Sequence, residues 1–290
     1  MSSDSTPFGE CPVPSSGPEE ILLGHGSGGK LTARLIEKII LPAFRNPALE
    51  RLDDQAILSF GGARLAFTTD SYVVTPIFFP GGDIGELAVN GTVNDLAMGG
   101  ARPLYLSLAF ILEEGLPIAD LERVIQSVRR AAARAGVDVV TGDTKVVGRG
   151  SGDKIFINTS GIGLVPPGID LSSAHVQPGD AILVSGPIGD HGVAILSRRE
   201  GLEFDGQIES DTAPLHELVA AALAAGPDIH ALRDPTRGGV AATLVEIATR
   251  RGLGLEVDES AVPVRDAVRG ACEILGLDPL LVANEGKLVA

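Results

Sequence analysis

The stretch that most restricts the fold runs from residue 101 to residue 135. Its first part, ARPLYLSLAFILEE (101–114), carries a continuous apolar run of strand length, which predicts a strand buried on both faces. Its second part switches to helical spacing over 120–135. Leu121, Val124, Ile125, Val128, Ala131, Ala132 and Ala135 fall on one face, and Arg123, Arg129, Arg130 and Arg134 lie mostly elsewhere. Asp120 is placed to cap this helix and Gly136 to end it. Strand and helix patterns recur in both halves of the chain, so the fold class is α/β in the broad sense, mixed α+β.

The same reading gives a helix over 29–44 that ends at Pro42, a strand over 64–74 interrupted by the polar TTD, a helix over 83–99, and strands near 137–141 and 154–165. A Pro-, Gly- and Ser-rich shift, LVPPGIDLSSAHVQPGD (164–180), marks a domain boundary. It divides an N-terminal domain, 19–165, from a C-terminal domain, 176–290. The second domain is expected to hold a strand in DAILVSG (180–186), helices over 190–201, 212–225 and 236–251, a short strand over 253–258 and a helix over 263–275. The first eighteen residues lack the basic start and apolar core of a signal peptide and read as a disordered tail. The last segment, LLVANEGKLVA, stops in mid-pattern, which predicts an incomplete second domain.

No apolar run approaches the ~18 residues of a membrane helix, and the net charge of −15 argues against nucleic acid and anionic membranes as partners. The two cysteines, Cys11 in the tail and Cys272 in a helix, form neither a disulfide framework nor a CxxC metal site. Cys272 reads as a small core residue, and a cytoplasmic location is the default.

GHGSGGK (24–30) fits the phosphate-binding pattern G-x-x-x-x-G-K through Gly24, Gly29 and Lys30, but only half of the motif is present. Leu31 stands where a Ser or Thr would hold Mg²⁺, and the preceding apolar run is only Ile21-Leu22-Leu23. A nucleotide would need its metal held elsewhere. Five segments put carboxylates at the ends of apolar runs: LDDQAI (Asp53, Asp54), FTTDS (Asp70), VNDLAMGG (Asp95), VVTGDTK (Asp143) and LRDPTRGG (Asp234). Mg²⁺ takes carboxylate, phosphate and water oxygens, and clustered aspartates need cations between them. Each segment alone suits a turn or an N-cap, as Asp120 and Asp211 are read. Five together, each at a strand or helix edge, point to a metal–phosphate site. Lys30 and Lys145 are the best-placed cations, although Lys145 alone would read as a surface lysine. The glycines of GHGSGGK either let backbone N–H groups approach an anion or make a flexible loop. His25 receives no role, and His191, in IGDHGVAIL, reads as structural.

GHGSGGK, LDDQAI, FTTDSYVV, VNDLAMGGARP, VVTGDTKVV, GPIGDHGVAIL, DPTRGGVA and VANEGK, in this order, resemble the HypE family of hydrogenase maturation proteins. That family lies in the superfamily of aminoimidazole ribonucleotide synthetase, selenophosphate synthetase and thiamine-monophosphate kinase. The resemblance covers about residues 20–290. It implies an N-terminal domain whose mixed sheet pairs into a dimer barrel, followed by a C-terminal α/β domain. The nucleotide would lie between the N-terminal domain and its symmetry mate's sheet, with the glycine-rich segment folding over the reacting groups.

The implied activity is ATP-dependent dehydration of a carbamoylated C-terminal cysteine, an S-carboxamide, to a thiocyanate that supplies the cyanide ligands of the [NiFe] hydrogenase iron. Phosphoryl transfer makes the amide oxygen a leaving group, and removal of the N–H protons leaves the nitrile. The cofactors would be ATP and Mg²⁺. The resemblance assigns Asp53 or Asp54, Asp70, Asp95, Asp143 and Asp234 to the metals. Gly28, Gly29, Lys30, Asp70, Asp95, Thr141, Gly142, Asp143 and Thr144 would bind ATP. Lys145 would stabilise charge or assist proton transfer, Lys30 would be a further catalytic cation, and Glu285 would be the base. Its partners would be a second copy of the chain, the carbamoyltransferase HypF and the HypC–HypD complex. Ser27 stands where selenophosphate enzymes carry Cys or selenocysteine, and Arg237 where the kinases carry a second Asp; both departures argue against those activities. Family chains continue for several tens of residues to a terminal cysteine, whereas this one stops at Ala290. The expectation is ATP binding and dimerisation without turnover. The alternatives are a non-catalytic docking module for the maturation partners, or another ATP-dependent synthetase or kinase of the superfamily. The intact TTD, ND and GDT motifs favour the dehydratase, since a scaffold has no reason to keep a costly charge cluster.

Overall fold

A computed structural model describes residues 20–27, 29–202, 208–226 and 228–290. The expected tail over 1–18, with Cys11, and Gly28 lie outside the described residues. The first helix, α1 (Gly29–Leu35), continues through a π-helical stretch, Ile36–Ile40, into α2 (Leu41–Phe44). It passes Pro42, which falls at the start of α2, where a missing N–H is tolerated. Then come β1 (Ala56–Phe60), β2 (Ala63–Tyr72), the short pair β3 (Phe78–Phe79) and β4 (Gly82–Asp83), α3 (Ile84–Met98), β5 (Arg102–Glu113), α4 (Ile118–Ala135), β6 (Asp138–Val147) and β7 (Ile155–Val165).

The main sheet has the order β1-β2-β7-β5-β6. Every pairing is antiparallel except β5 with β6, which the α4 crossover makes parallel. Asp83 caps α3, accepting from the Gly85 and Glu86 N–H groups. α4 starts earlier than predicted, so Asp120 sits within its first turn and not at the cap, where it still favours the helix dipole. Gly136 ends α4 in the left-handed region, with φ 64°.

α3 and α4 cover one face of the sheet, and Val89, Val93, Leu106, Val128 and Ala131 form the core between them. The other face is bare, with Phe67, Tyr105, Ile111 and Ile162 exposed on it. β5 is therefore buried on one face and not on both: among the described residues its apolar run has no second layer.

The second half holds α5 (Asp190–Glu200), α6 (His216–Ala224), α7 (Gly239–Arg251) and α8 (Asp266–Leu275). The strands expected at 180–186 and 253–258 do not form. Val184 and Arg233 each make only an isolated bridge to Val289, too little pairing to propagate a ladder. α6, α7 and α8 each start three residues or so later than predicted, behind loops that carry other contacts. Cys272 is buried in the core of this half, as expected.

The two halves share a core in which Ala97 and Met98 of α3 meet Leu171, Leu215, Val219, Leu232 and Leu288. Asn94, fully buried, ties them by hydrogen bonds. Its Nδ2 donates to the Ala213 and Glu285 carbonyls (3.0 and 3.2 Å), and its Oδ1 accepts from the Leu215 N–H (2.7 Å).

Candidate active site

That junction holds a cleft of about 770 Å³ between α3 and β2 on one side and α5, α7 and the 282–285 segment on the other. Asp54, Asp70, Asp95, Asp234 and Glu285 all line it. Asp70 lies within β2 and Asp95 within α3, so regular elements supply two of the five carboxylates and loops the other three. Asp54 precedes β1, Asp234 precedes α7, and Glu285 follows the buried Asn284. Asn284 Nδ2 donates to the Pro235 and Val282 carbonyls (3.0 and 3.1 Å) and so fixes the Asp234 and Glu285 loops together.

Burial dominates the electrostatics here and mutual repulsion adds to it. Asp54 is pushed up to about 6 and Asp234 to about 8, in each case chiefly by desolvation. Desolvation and then Asp234, Asp54 and Asp70 raise Asp95 well above the usual carboxylate range. Glu285 is raised likewise by desolvation and then by Asp234, Asp211 and Asp70. Desolvation also raises Asp70, against the pull of Arg237. Thr68 Oγ1 donates to Asp95 Oδ2 at 2.7 Å, while the buried Asp54 Oδ2 has no partner among the described residues. A set of crowded, under-paired oxygens is the donor chemistry that a hard divalent cation fits. Among the described residues, no three His, Cys, Asp or Glu side chains close on one point as a complete metal cage. Mg²⁺ seldom uses such a cage, since it takes one or two carboxylates together with phosphate oxygens and water.

The two adjacent aspartates divide the work. Asp53 also lines the cleft but is already engaged, accepting from Arg51 Nε (3.1 Å) and from Ser172 Oγ (2.9 Å) in the segment between the domains, which leaves Asp54 to the cluster. The other predicted residues lie elsewhere. Thr141, Gly142, Asp143, Thr144 and Lys145 lie in β6, the exposed edge strand, and Lys145 Nζ pairs with Asp143 at 2.9 Å. None of these five lines the cleft of their own chain. Gly142 is required locally, because any side chain there would collide with the Leu108 carbonyl of β5. Gly29 and Lys30 open α1 and are exposed, and neither lines the cleft. The glycine-rich segment nevertheless reaches the mouth of the cleft, where Arg237 Nη1 donates to the Gly26 carbonyl (3.3 Å) and Nη2 stands 3.9 Å from Asp70. Asp211 is no helix cap. It is a buried anchor that accepts from the Glu285 and Gly286 N–H groups (3.0 and 3.3 Å) and Lys287 Nζ (2.9 Å).

Sequence reading missed Arg233. Its guanidinium is 13% exposed, 2.9 Å from Asp54 and 3.2 Å from Glu246, and is the cation buried deepest against the cluster. Nothing in LRDPTRGG distinguishes it from Arg237 without the fold.

Residues 52–165 match the AIR synthase related protein N-terminal domain, and residues 177–290 match the corresponding C-terminal domain. The carbamoyl dehydratase HypE of Cupriavidus necator is 58% identical over 269 residues, 92% of this chain and 77% of that protein. The carbamoyl dehydratase HypE of Escherichia coli is 53% identical over 274 residues, 93% of this chain and 81% of that protein. Among solved structures, the HypE–HypF complex superposes with a TM-score of 0.84 at 51% identity, covering 88% of this chain and 83% of that one. A hydrogenase maturation protein HypE in complex with ATP gives a TM-score of 0.77 at 56% identity, covering 93% and 80%. By its matched domains and its identity to these relatives, the chain belongs to the HypE family of carbamoyl dehydratases, hydrogenase maturation proteins of the AIR synthase related fold.

Proposed function

We infer that this chain is the ATP-dependent carbamoyl dehydratase of [NiFe] hydrogenase maturation, acting in the cytoplasm. One observation carries the reading: among the described residues, seven carboxylates line one interdomain cleft against three arginines, too little positive charge to balance them. A polyphosphate with its cations supplies that balance. Asp54, Asp70, Asp95 and Asp234 would hold Mg²⁺, which neutralises charge on the phosphates when bound. The substrate is an S-carboxamide of cysteine. Its carbamoyl oxygen attacks the γ-phosphorus and ADP leaves. A base then takes the N–H protons, the C–O bond breaks, and a thiocyanate and phosphate remain. Glu285 suits the base: burial and its acidic neighbours give it high proton affinity, and it stands in the cleft.

The chain acts as a homodimer in this reading. The bare sheet face and the β6 edge, with Val139, Val140 and Val146 exposed, call for a partner layer. A second copy would bring Thr141, Gly142, Asp143, Thr144 and Lys145 toward nucleotide in the partner's cleft, which would give the β6 motif its function. Gly29 and Lys30 would close over the phosphates from the N-terminal side. HypF would deliver the carbamoyl group, and the HypC–HypD complex would receive the product.

The test is the thermal midpoint with and without Mg-ATP, for this chain and for Asp95→Asn. Ligand at roughly 100 times Kd stabilises by about 2.7 kcal/mol, which at about 2–4 °C per kcal/mol is a shift of ~5–10 °C. The variant should lose most of it. A folded parent that shows no shift rules out nucleotide binding at this cleft.

A further inference from the structure

The α5 wall of the cleft carries a group that the reading above leaves unused. His191 lies in the first turn of α5, is 6% exposed, and lines the cleft with Gly192 and Ile195. Its ring is pinned twice. Nδ1 is 2.8 Å from Ser210 Oγ, and the ring meets Phe79 edge-on, with centroids 5.6 Å apart and planes at 86°. Ser210 Oγ also accepts from the Thr212 N–H at 3.2 Å. That hydroxyl has no other acceptor among the described residues, so using every hydrogen requires Ser210 O–H to donate to Nδ1. The imidazole then carries its proton on Nε2, which has no protein partner among the described residues. Burial holds the His191 pKa down at about 4, so the ring stays neutral near pH 7.

The position is fixed relative to Glu285. The Gly192 N–H donates to the Ala283 carbonyl at 3.1 Å, two residues before Glu285, and a side chain at Gly192 would run into Val282. Asp211, adjacent to Ser210, holds the Glu285 and Gly286 N–H groups. His191 and Glu285 are thus mounted on one hydrogen-bonded frame, facing one cleft.

We propose that His191 is a catalytic residue of the dehydration, its neutral Nε2–H donating a hydrogen bond to the phosphoryl oxygens as phosphate leaves the carbamoyl carbon. The proposal rests on the dehydratase reading. In the step concerned, the phosphorylated intermediate R–S–C(=NH)–OPO₃²⁻ loses its N–H proton to the base. The C–O electron pair goes to the phosphate oxygen, the C≡N bond closes, and the proton ends on HPO₄²⁻. His191 gives up no proton. Its donor meets charge that grows only as the C–O bond breaks, so it lowers the barrier without holding the amide in its ground state.

Two measurements test this. ¹⁵N NMR of the imidazole in the ligand-free chain should show the Nε2–H tautomer, uncharged from pH 5.5 to 8. The Nδ1–H tautomer, or an imidazolium in that range, overturns the proposal without any variant. Phosphate release from Mg-ATP is then followed with a cysteine peptide carrying the S-carboxamide, and thermal melts confirm folding of each variant. His191→Phe should lose about 10²-fold in kcat with the KM for ATP unchanged, and His191→Gln, which keeps an N–H donor, should recover part. Unchanged kcat in a folded His191→Phe overturns the proposal alone. A parent chain that binds Mg-ATP but never releases phosphate with this peptide overturns the dehydratase reading as well.

Discussion

Asp95 is the residue whose position is hardest to justify by stability. It sits inside α3 among buried apolar neighbours, and desolvation and three other aspartates oppose its ionisation. Asp234, 8% exposed, is in the same condition. Removing either charge relieves repulsion that the ligand-free protein must carry. Asp95→Asn and Asp234→Asn should therefore raise ligand-free stability at pH 8 by about 1–2 kcal/mol while abolishing the Mg-ATP shift, as read by urea melts with and without ligand. Destabilisation by both would mean that the carboxylates hold the fold together, and that crowding is not the source of their strain. Arg233 makes the opposite case. Arg233→Met leaves Asp54 and Glu246 buried without their cation and should cost about 3 kcal/mol. The same melts measure it.

Elements explain which of these residues could be read in advance. The helices α3 and α4 and the strands β2, β5 and β7 were legible because their periodicity reflects contacts within one domain: α4 shows one apolar stripe, and it packs on one sheet face. Asp54, Asp70, Asp95, Asp234 and Glu285 were legible as motif residues, and the fold brings them together. Their gathering at one site was expected from the motifs, but what enforces it was not legible, because Asn94 and Asn284, which lock the two halves, look like ordinary polar residues until their carbonyl partners are known. The strands at 180–186 and 253–258 failed because an apolar run specifies a strand only where an edge is offered to it. The β6 motif is the reverse case. Its sequence promised a site, and the single chain leaves it on an exposed edge. If a second copy covers that edge, Val140→Asp should shift the chain from dimer to monomer in light scattering at micromolar concentration, with the monomer's circular dichroism unchanged. A parent chain that is monomeric at high concentration would remove the role given to the β6 residues.

At the scale of the whole molecule, the cleft sets how stability responds to pH. The buried carboxylates Asp54 and Asp234 bind protons more tightly folded, near 6 and 8, than at their ordinary value of 3.8. Their contribution is complete below 3.8 and is lost as pH rises through the folded values, since the folded state then forgoes protons it held favourably. His191 acts with the opposite sign. Lowered to about 4 from 6.5, it contributes fully above 6.5 and loses that contribution as pH falls through 4. Between pH 6.5 and 8 only the carboxylates of this set are titrating. The melting temperature of the ligand-free chain should therefore fall across that window, and Asp234→Asn should flatten the fall. Mg²⁺ binds the ionised carboxylates, so millimolar Mg²⁺ with ATP should stabilise more at pH 8 than at pH 6.5. A ligand-free midpoint that rises from 6.5 to 8, or a ligand shift larger at 6.5, would show that the cleft is not held as a partly protonated cluster awaiting its cations.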